Sequence, residues 1–306
     1  MGKLISWLLK ETKGVTILDK CILFTLKTAF LSFRILVRIF LGRKKRDNFF
    51  LERELGFNSF FYKVMKFLWL DRFIVLKINV PKYNYKFYCR TNREDFIFMT
   101  GHEDEIIEHF CPQEGDIVVD VGAHIGHYTI ISSKRVGING KVVAIEAHPG
   151  NFDILNRNIQ LNRLTNVVPL NYAVYSQRTK IRLYLPDEEL GYTIYNTIMV
   201  NRADPRDNFV EVNADTLDNI LQLNRIKQVN WVKIDVEGAE LEVLKGASNI
   251  LSNSKNISLL LEVHGLENYA PILNLLQSYN FKVEFEARSK KPDWRHILVR
   301  KFDQDL

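Results

Sequence analysis

Beyond Gly115 the chain alternates short apolar runs with longer segments in which apolar residues recur every three or four positions. The runs Ile117 to Val121, KVVAI leading to Glu146, Asn230 to Ile234 and ISLLLEVH have strand length, and they are largely apolar without alternation, as strands covered on both faces are. The amphipathic segments between them read as helices, so the pattern predicts a mainly parallel sheet with helices on both sides. Upstream, FIVLKINVPKYNYKFY from Phe73 to Tyr88 alternates and breaks at Pro81 and Asn84, which predicts a β-hairpin. Arg93 to Phe110 reads as a short helical lid carrying His102, Glu103, Asp104 and Glu105. Near 174–217, KIRLYLP and FVEVNADTL bracket the polar stretch DEELGYTIYNTIMVNRADPRDN, the pattern of two strands under a flap. Tyr192, Tyr195, Asn196 and Thr197 lie in that flap as candidate substrate residues, since loops of this kind carry specificity; a plain hairpin tip fits the same residues.

The first 72 residues follow a different pattern and are set apart as a helical extension from the domain 73–306. Val15 to Leu41 is free of Gly and Pro, and Lys13, Lys20, Lys27, Arg34 and Arg38 share one narrow stripe at 100° per residue on an otherwise apolar cylinder. Spanning a bilayer takes roughly 20 consecutive apolar residues, whereas the uncharged stretches Cys21 to Leu26 and Thr28 to Phe33 are six residues each. Two readings remain: a helix lying on an anionic membrane surface through residues 13–46, with Arg43 to Arg46 adding to the attraction, or a helix packed on its own domain or a partner. Charge agrees with this division. The first seventy residues hold fourteen Lys and Arg against five Asp and Glu, although the whole chain is only +6, so the remainder is slightly acidic and no specific nucleic-acid partner is expected. Cys21, Cys89 and Cys111 are too scattered for a disulfide framework or a zinc site, and no secretory signal precedes them, which fits a cytoplasmic protein, peripheral at the inner membrane face if the stripe meets lipid.

Candidate chemistry gathers at the strand ends. DIVVDVGAHIGHYT places Asp120 at the end of a buried strand, then a turn containing Gly122, Ala123, His124 and Gly126, then a helix starting near His127 that carries Thr129. Glycines let the backbone turn sharply and approach a ligand, and the helix N-terminus offers unpaired N–H groups to a carboxylate. The G-x-x-x-G spacing is not a dinucleotide fingerprint, because the third glycine is missing. Glu146, with Ala147 beside it, ends the next strand about 20 positions after Gly126, where a carboxylate can accept both hydroxyls of a ribose.

Asp120 to Thr129, Glu146-Ala-His-Pro149 and, above all, VKIDVEGAELEVLKG from Val232 to Gly246 resemble the FkbM family of methyltransferases. The likeness runs from about Phe96 to Phe285 and leaves the N-terminal residues outside. It implies a class I α/β Rossmann-like sheet, mainly parallel with a final antiparallel strand. It also implies S-adenosylmethionine as donor and a hydroxyl oxygen, including those of sugars and polyketides, as acceptor. Asp120 would then face the methionine amino group, with Glu105 of the lid added to the cofactor contacts. His124 and His127 depart from the family's frequent Asn and aromatic.

Asp235 and Glu237 follow the strand Asn230 to Ile234, with a helix beginning near Glu237, and Glu262 and His264 end the strand ISLLLEVH, so four titratable groups converge on the edge where open α/β sheets bind ligands. Methyl transfer to an alcohol needs positioning and removal of the hydroxyl proton. Asp235 ranks first as the base because it lies in the most specific motif, and His264 follows for its pKa. Glu237 fits equally a helix-dipole role. Lys233 reads as a surface or ion-paired residue, and Glu240 and Lys245 as helix-surface charges. Carboxylates and imidazole also suit Mg²⁺ or Mn²⁺, but spacing alone leaves the metal unassigned. The expected function is an O-methyltransferase for a small-molecule or glycan acceptor, plausible targets including a lipid-linked saccharide. The alternatives are a membrane-tethered binding or scaffold protein without turnover and, lower, a nucleic-acid methyltransferase.

Overall fold

The computed structural model describes residues 75–80, 83–90, 103–184, 209–288 and 293–302; the N-terminal extension, most of the lid and the flap tip with Tyr192, Tyr195, Asn196 and Thr197 lie outside the described residues. The hairpin is present as β1 (Val75–Val80) and β2 (Tyr85–Arg90), paired antiparallel around Pro81 to Asn84. A six-residue helix, α1 (Asp104–His109), is the described part of the lid. The body follows as β3 (Ile117–Val121), α2 (His127–Val136), β4 (Lys141–Ile145), α3 (Pro149–Leu161), β5 (Val167–Leu170) and β6 (Ala173–Val174). Then come β7 (Thr179–Tyr184), β8 (Phe209–Asp215), α4 (Leu217–Leu223), β9 (Trp231–Ile234), α5 (Glu240–Lys245) and α6 (Ser248–Asn253). The chain closes with β10 (Ile257–His264), α7 (Leu266–Ser278), β11 (Lys282–Arg288) and β12 (Trp294–Lys301).

Seven strands form one sheet in the order β11-β12-β10-β9-β3-β4-β5. β10, β9, β3, β4 and β5 run parallel, and β12 is antiparallel to both of its neighbours. This is the class I methyltransferase arrangement, with the last strand reversed. Connections leave β3 toward β4 on one side, whereas β9 joins it on the other, so the strand order switches direction between β3 and β9 and opens a crevice at their carboxyl ends.

Although the strands are largely apolar, they keep period two. Val119, Val121, Val232, Ile234, Leu259 and Leu261 meet the helices of one face, and Val118, Val142, Trp231 and Leu260 pack on the other face with Ile130, Phe110 and Phe87. Asp120 and Lys233 share that second face and are direct register partners across the β3–β9 pair. A charged pair thus sits inside the sheet layer beside the crevice.

The hairpin is tied to the body by two asparagines one helical turn apart on α3. Asn158 accepts from Tyr88 N at 2.5 Å and donates to Tyr88 O at 3.0 Å, and Asn162 accepts from Lys86 N at 3.0 Å and donates to Lys86 O at 2.6 Å. Their amides act as a substitute strand for the edge of β2. A separate sheet, β6-β8-β7, pairs β7 with β8 antiparallel and so provides the two strands expected beneath the flap.

Candidate active site

Gly122 has φ +78, and a Cβ there would lie 1.8 Å from the carbonyl oxygen of Asp235. The glycine is therefore demanded by the neighbouring strand end, which closes on β3 more tightly than any side chain allows, rather than by approach of a ligand alone. Gly126, with φ +100, caps α2, and its missing Cβ makes room for Leu155. His124 lies between them at φ 50, a left-handed conformation that few non-glycine residues enter.

The two acids on this side are held by the protein itself. Thr129 donates its hydroxyl to Asp120 Oδ2 at 2.6 Å, while Asp120 Oδ1 is buried without a hydrogen-bond partner, 3.9 Å from Lys233 Nζ. Glu146 sits one residue beyond β4 and is buried. Its Oε2 accepts from His124 N at 2.8 Å, and its Oε1 accepts from His148 N at 2.9 Å and Asn151 Nδ2 at 3.3 Å. Burial pushes the Glu146 carboxyl up, against the pull of those donors. Burial likewise raises Asp120, with Lys233 and Thr129 opposing it. Ala123 is buried beside them and Ala147 packs against the small sheet.

Across the crevice, Lys233 is buried and not a surface group. Its ammonium donates to Asp235 Oδ2 at 3.1 Å and to Gly122 O at 3.3 Å. Burial favours neutral Lys233, but Asp235 and Asp120 outweigh it and hold the ammonium above its ordinary pKa. Asp235 answers in kind: burial raises it, yet Lys233 and then His264 bring it below the usual carboxylate range.

The helix expected near Glu237 begins at Glu240 instead. Residues 235–239 form a turn in which Glu237 (φ 53) and Gly238 (φ 103) are both left-handed. Glu237 consequently stands outside the helix and faces His264 Nε2 from 3.3 Å. Glu240, expected on the helix surface, is fully buried, because the later start turns it inward; its Oε1 accepts from Gly238 N at 2.9 Å and pairs with His264 Nδ1 at 2.7 Å. Lys245 does lie on the surface, paired with Glu242.

His264 is 7% exposed, with its ring edge-on to Trp294 at 4.2 Å. Its Nε2 looks toward Glu237 Oε2, Glu262 Oε1 at 3.9 Å and Asp235 Oδ1 at 4.0 Å. Burial works to lower its pKa, but Glu240, Asp235 and Glu262 together raise it. The four groups expected at one rim are thus brought together, with Glu240 as an unforeseen fifth.

In the described part of the lid, Glu105 is exposed on α1, whereas Glu103, just before the helix, is turned toward Asp235, Lys233 and Tyr128. Burial and then Asp235 push the Glu103 carboxyl up to about 7, with Lys233 and a hydrogen bond from Tyr128 pulling the other way.

The crevice therefore has a wall of held acids, with one buried acceptor atom left on Asp120, opposite a rim of carboxylates and imidazole. Residues 120–283 match the methyltransferase FkbM domain. A hexuronic acid methyltransferase of Haloferax volcanii is 28% identical over 182 residues, 60% of this chain and 70% of that protein. A protein named methyltransferase 1 from Beauveria bassiana is 26% identical over 199 residues, 59% of this chain and 76% of its own. The crystal structure of methyltransferase FkbM from Methylobacillus flagellatus aligns with a TM-score of 0.42 at 16% identity, covering 67% of this chain and 53% of that one. With more than half its length inside the family's domain and the sheet order of that class, the chain belongs to the FkbM family of S-adenosylmethionine-dependent methyltransferases.

Proposed function

We propose that the protein transfers a methyl group to a hydroxyl oxygen of a glycan or lipid-linked saccharide. The observation that carries this reading is the convergence of Asp235, Glu237, Glu262 and His264 on one rim, directly across the β3–β9 crevice from Asp120 and Glu146. The hexuronic acid methyltransferase among its relatives supports a sugar acceptor.

The residues on the β3–β4 side fit the cofactor. The buried, unsatisfied Oδ1 of Asp120 suits an amino N–H of the methionine moiety, and Glu146 suits the ribose hydroxyls. The turn Gly122, Ala123, His124 and Gly126, together with Thr129 and Ala147, forms the floor, and Glu103 takes the place first given to Glu105. Bound there, S-adenosylmethionine supplies an electrophilic methyl on a sulfonium. This chain's own work is to hold the acceptor hydroxyl at the rim in line with that methyl and to accept its proton. Tyr192, Tyr195, Asn196 and Thr197 of the flap are proposed to select the sugar, and the basic stripe in residues 13–46 to bring the domain to an anionic membrane. Among the described residues no helix is long and apolar enough to cross a membrane. The intact acids on both walls disfavour a scaffold without turnover.

Calorimetric titration with S-adenosylmethionine tests the cofactor half, comparing the wild type with Glu146→Ala, which should bind at least tenfold more weakly. Methyl-labelled donor offered with uronic-acid and neutral glycans, free and lipid-linked, tests the acceptor half. Label in a methyl ether that disappears in Asp235→Asn and His264→Ala, with donor affinity retained, is the expected result. Label in nucleic acid, or in a carboxyl ester, would overturn the hydroxyl assignment. Flotation of the full chain with anionic vesicles should fail when Lys13, Lys20, Lys27, Arg34 and Arg38 are all changed to Gln; unchanged flotation would remove the membrane role.

A further inference from the structure

Asp235, Glu237 and His264 each bring one donor atom to a common place, and Asp235 and His264 are anchored through their other donor atom. One donor atom from each of Asp235, Glu237 and His264 lies within 4.8 Å of the other two, and His264 Nε2 stands 4.0 Å from Asp235 Oδ1 and 3.3 Å from Glu237 Oε2. Asp235 Oδ2 is fixed by Lys233 at 3.1 Å, and His264 Nδ1 is fixed by Glu240 Oε1 at 2.7 Å. Glu240 is itself fully buried and tied to Gly238 N at 2.9 Å. A carboxylate on the far nitrogen of an imidazole is the arrangement that fixes ring orientation and tautomer in metal sites.

The second observation is His264 Nε2 itself. It is buried with no hydrogen-bond partner, in a side chain nine-tenths buried, and it is aimed between Glu237 Oε2 at 3.3 Å and Asp235 Oδ1 at 4.0 Å, with Glu262 Oε1 at 3.9 Å. With Nδ1 donating to Glu240, Nε2 carries the proton that faces the carboxylates, and a divalent cation binding there takes that proton's place, the deprotonated ring then turning its lone pair onto the ion.

We infer that Asp235 Oδ1, Glu237 Oε2 and His264 Nε2 form a binding site for a divalent cation of the Mg²⁺ or Mn²⁺ kind. Two carboxylate oxygens and one imidazole nitrogen suit these ions, and the nitrogen favours Mn²⁺ of the two. Adjacent ligands of an octahedral ion stand about 3 Å apart; His264 and Glu237 are near that spacing at 3.3 Å, and Asp235, 4.0 Å from His264, closes in on the ion. Three protein donors leave positions open for a hydroxyl oxygen. Its use in holding the acceptor rests on the proposed function, whereas the binding of the ion does not. His264 is then a ligand, and the rim organises the hydroxyl through the cation.

The full chain, stripped with chelator, is titrated with Mn²⁺ and the free-ion signal followed by electron paramagnetic resonance. Donor binding is measured in parallel by calorimetry. One Mn²⁺ per chain, weakened at least tenfold in Glu237→Gln and in His264→Ala and showing coupling to an imidazole nitrogen that His264→Ala removes, is the expected result. Glu237 lies on a turn, so its variant tests the site even if the His264 variant fails to fold. No saturable binding by the wild type, or binding that Glu237→Gln leaves unchanged, would overturn the inference. Mn²⁺ binding of the expected kind without donor binding would instead overturn the cofactor reading and leave the metal site standing.

Discussion

The two walls of the crevice handle negative charge in opposite ways. On the β3–β4 side, Glu146 receives hydrogen bonds from two main-chain N–H groups and an asparagine, and Asp120 receives one from Thr129. On the β9–β10 side, Asp235, Glu237 and Glu262 all lie within 4.0 Å of one imidazole nitrogen, and the ammonium nearest them is spent on Asp235 and shared with Asp120. An acid answered by donors is a finished surface that recognises a ligand without changing. Acids gathered around one nitrogen form a surface completed by whatever brings positive charge, which is where the proposed function puts the chemistry.

The walls touch at Gly122, so the largest effect comes from filling that contact. Gly122→Ala places a methyl 1.8 Å from the Asp235 carbonyl oxygen at φ +78, forcing the ends of β3 and β9 apart. A loss of about 5 kcal/mol is expected, with donor binding abolished. Chemical denaturation reads it directly, and a loss under about 1 kcal/mol would mean that the walls are not in rigid contact.

Removing the shared ammonium separates the walls next. Lys233→Met takes the counter-charge from the buried Asp120 and the partly buried Asp235 and should cost roughly 3–4 kcal/mol. Because Asp235 is the nearer partner, at 3.1 Å against 3.9 Å for Asp120, adding Asp235→Asn should restore more stability than adding Asp120→Asn. Equal restoration would show that the lysine belongs to both walls alike.

Much of this division was legible in the sequence and some was not, for reasons that can be named. The sheet was readable because strands buried on both faces are apolar at most positions, and the four rim groups followed from their places just after β9 and at the end of β10. Glu240 was misplaced because the helix was expected to start near Glu237. The left-handed pair Glu237–Gly238 delays it to Glu240 and turns that carboxylate inward, and the Glu-Gly dipeptide was the available signal. Lys233 was left between surface and ion pair, since alternation fixes its face but not what covers that face. That Glu103 and not Glu105 turns toward Asp235 and Lys233 could not be read from the sequence, because a six-residue helix with no cap signal gives no phase from which to choose between them.

The finished wall should also have its own response to acid. His127, at the start of α2, is hydrogen-bonded to the Tyr85 hydroxyl, and burial, helped by Lys233, pushes its pKa down to about 3. The unfolded chain takes up that proton near 6.5. Between those values the unfolded state binds more protons, so the stability owed to neutral His127 is complete above pH about 6.5 and is lost on acidification at about 1.4 kcal/mol per unit. His127→Phe removes this slope. Urea midpoints at pH 6.5 and 5 should show the variant keeping about 2 kcal/mol more than the wild type on acidification, after a cost of about 1 kcal/mol at neutral pH for the Tyr85 hydroxyl. Parallel losses would mean that the ring is charged or hydrated in the folded chain.

The smallest change gives the sharpest test of what holds the β3–β4 wall together. His124 contributes to Glu146 through its backbone N–H, which survives any side chain, and it does so from φ 50, where asparagine is accommodated more easily than histidine. His124→Asn should therefore stabilise the protein by about 0.5 kcal/mol, raising the melting temperature by about 1–2 °C, and should leave donor affinity within about twofold, since the recognising atoms are unchanged. If affinity instead fell tenfold with stability intact, the imidazole would be reaching the ligand. The wall would then share the property of the opposite rim, with part of its recognition residing in a titratable side chain and not in the backbone that positions Glu146.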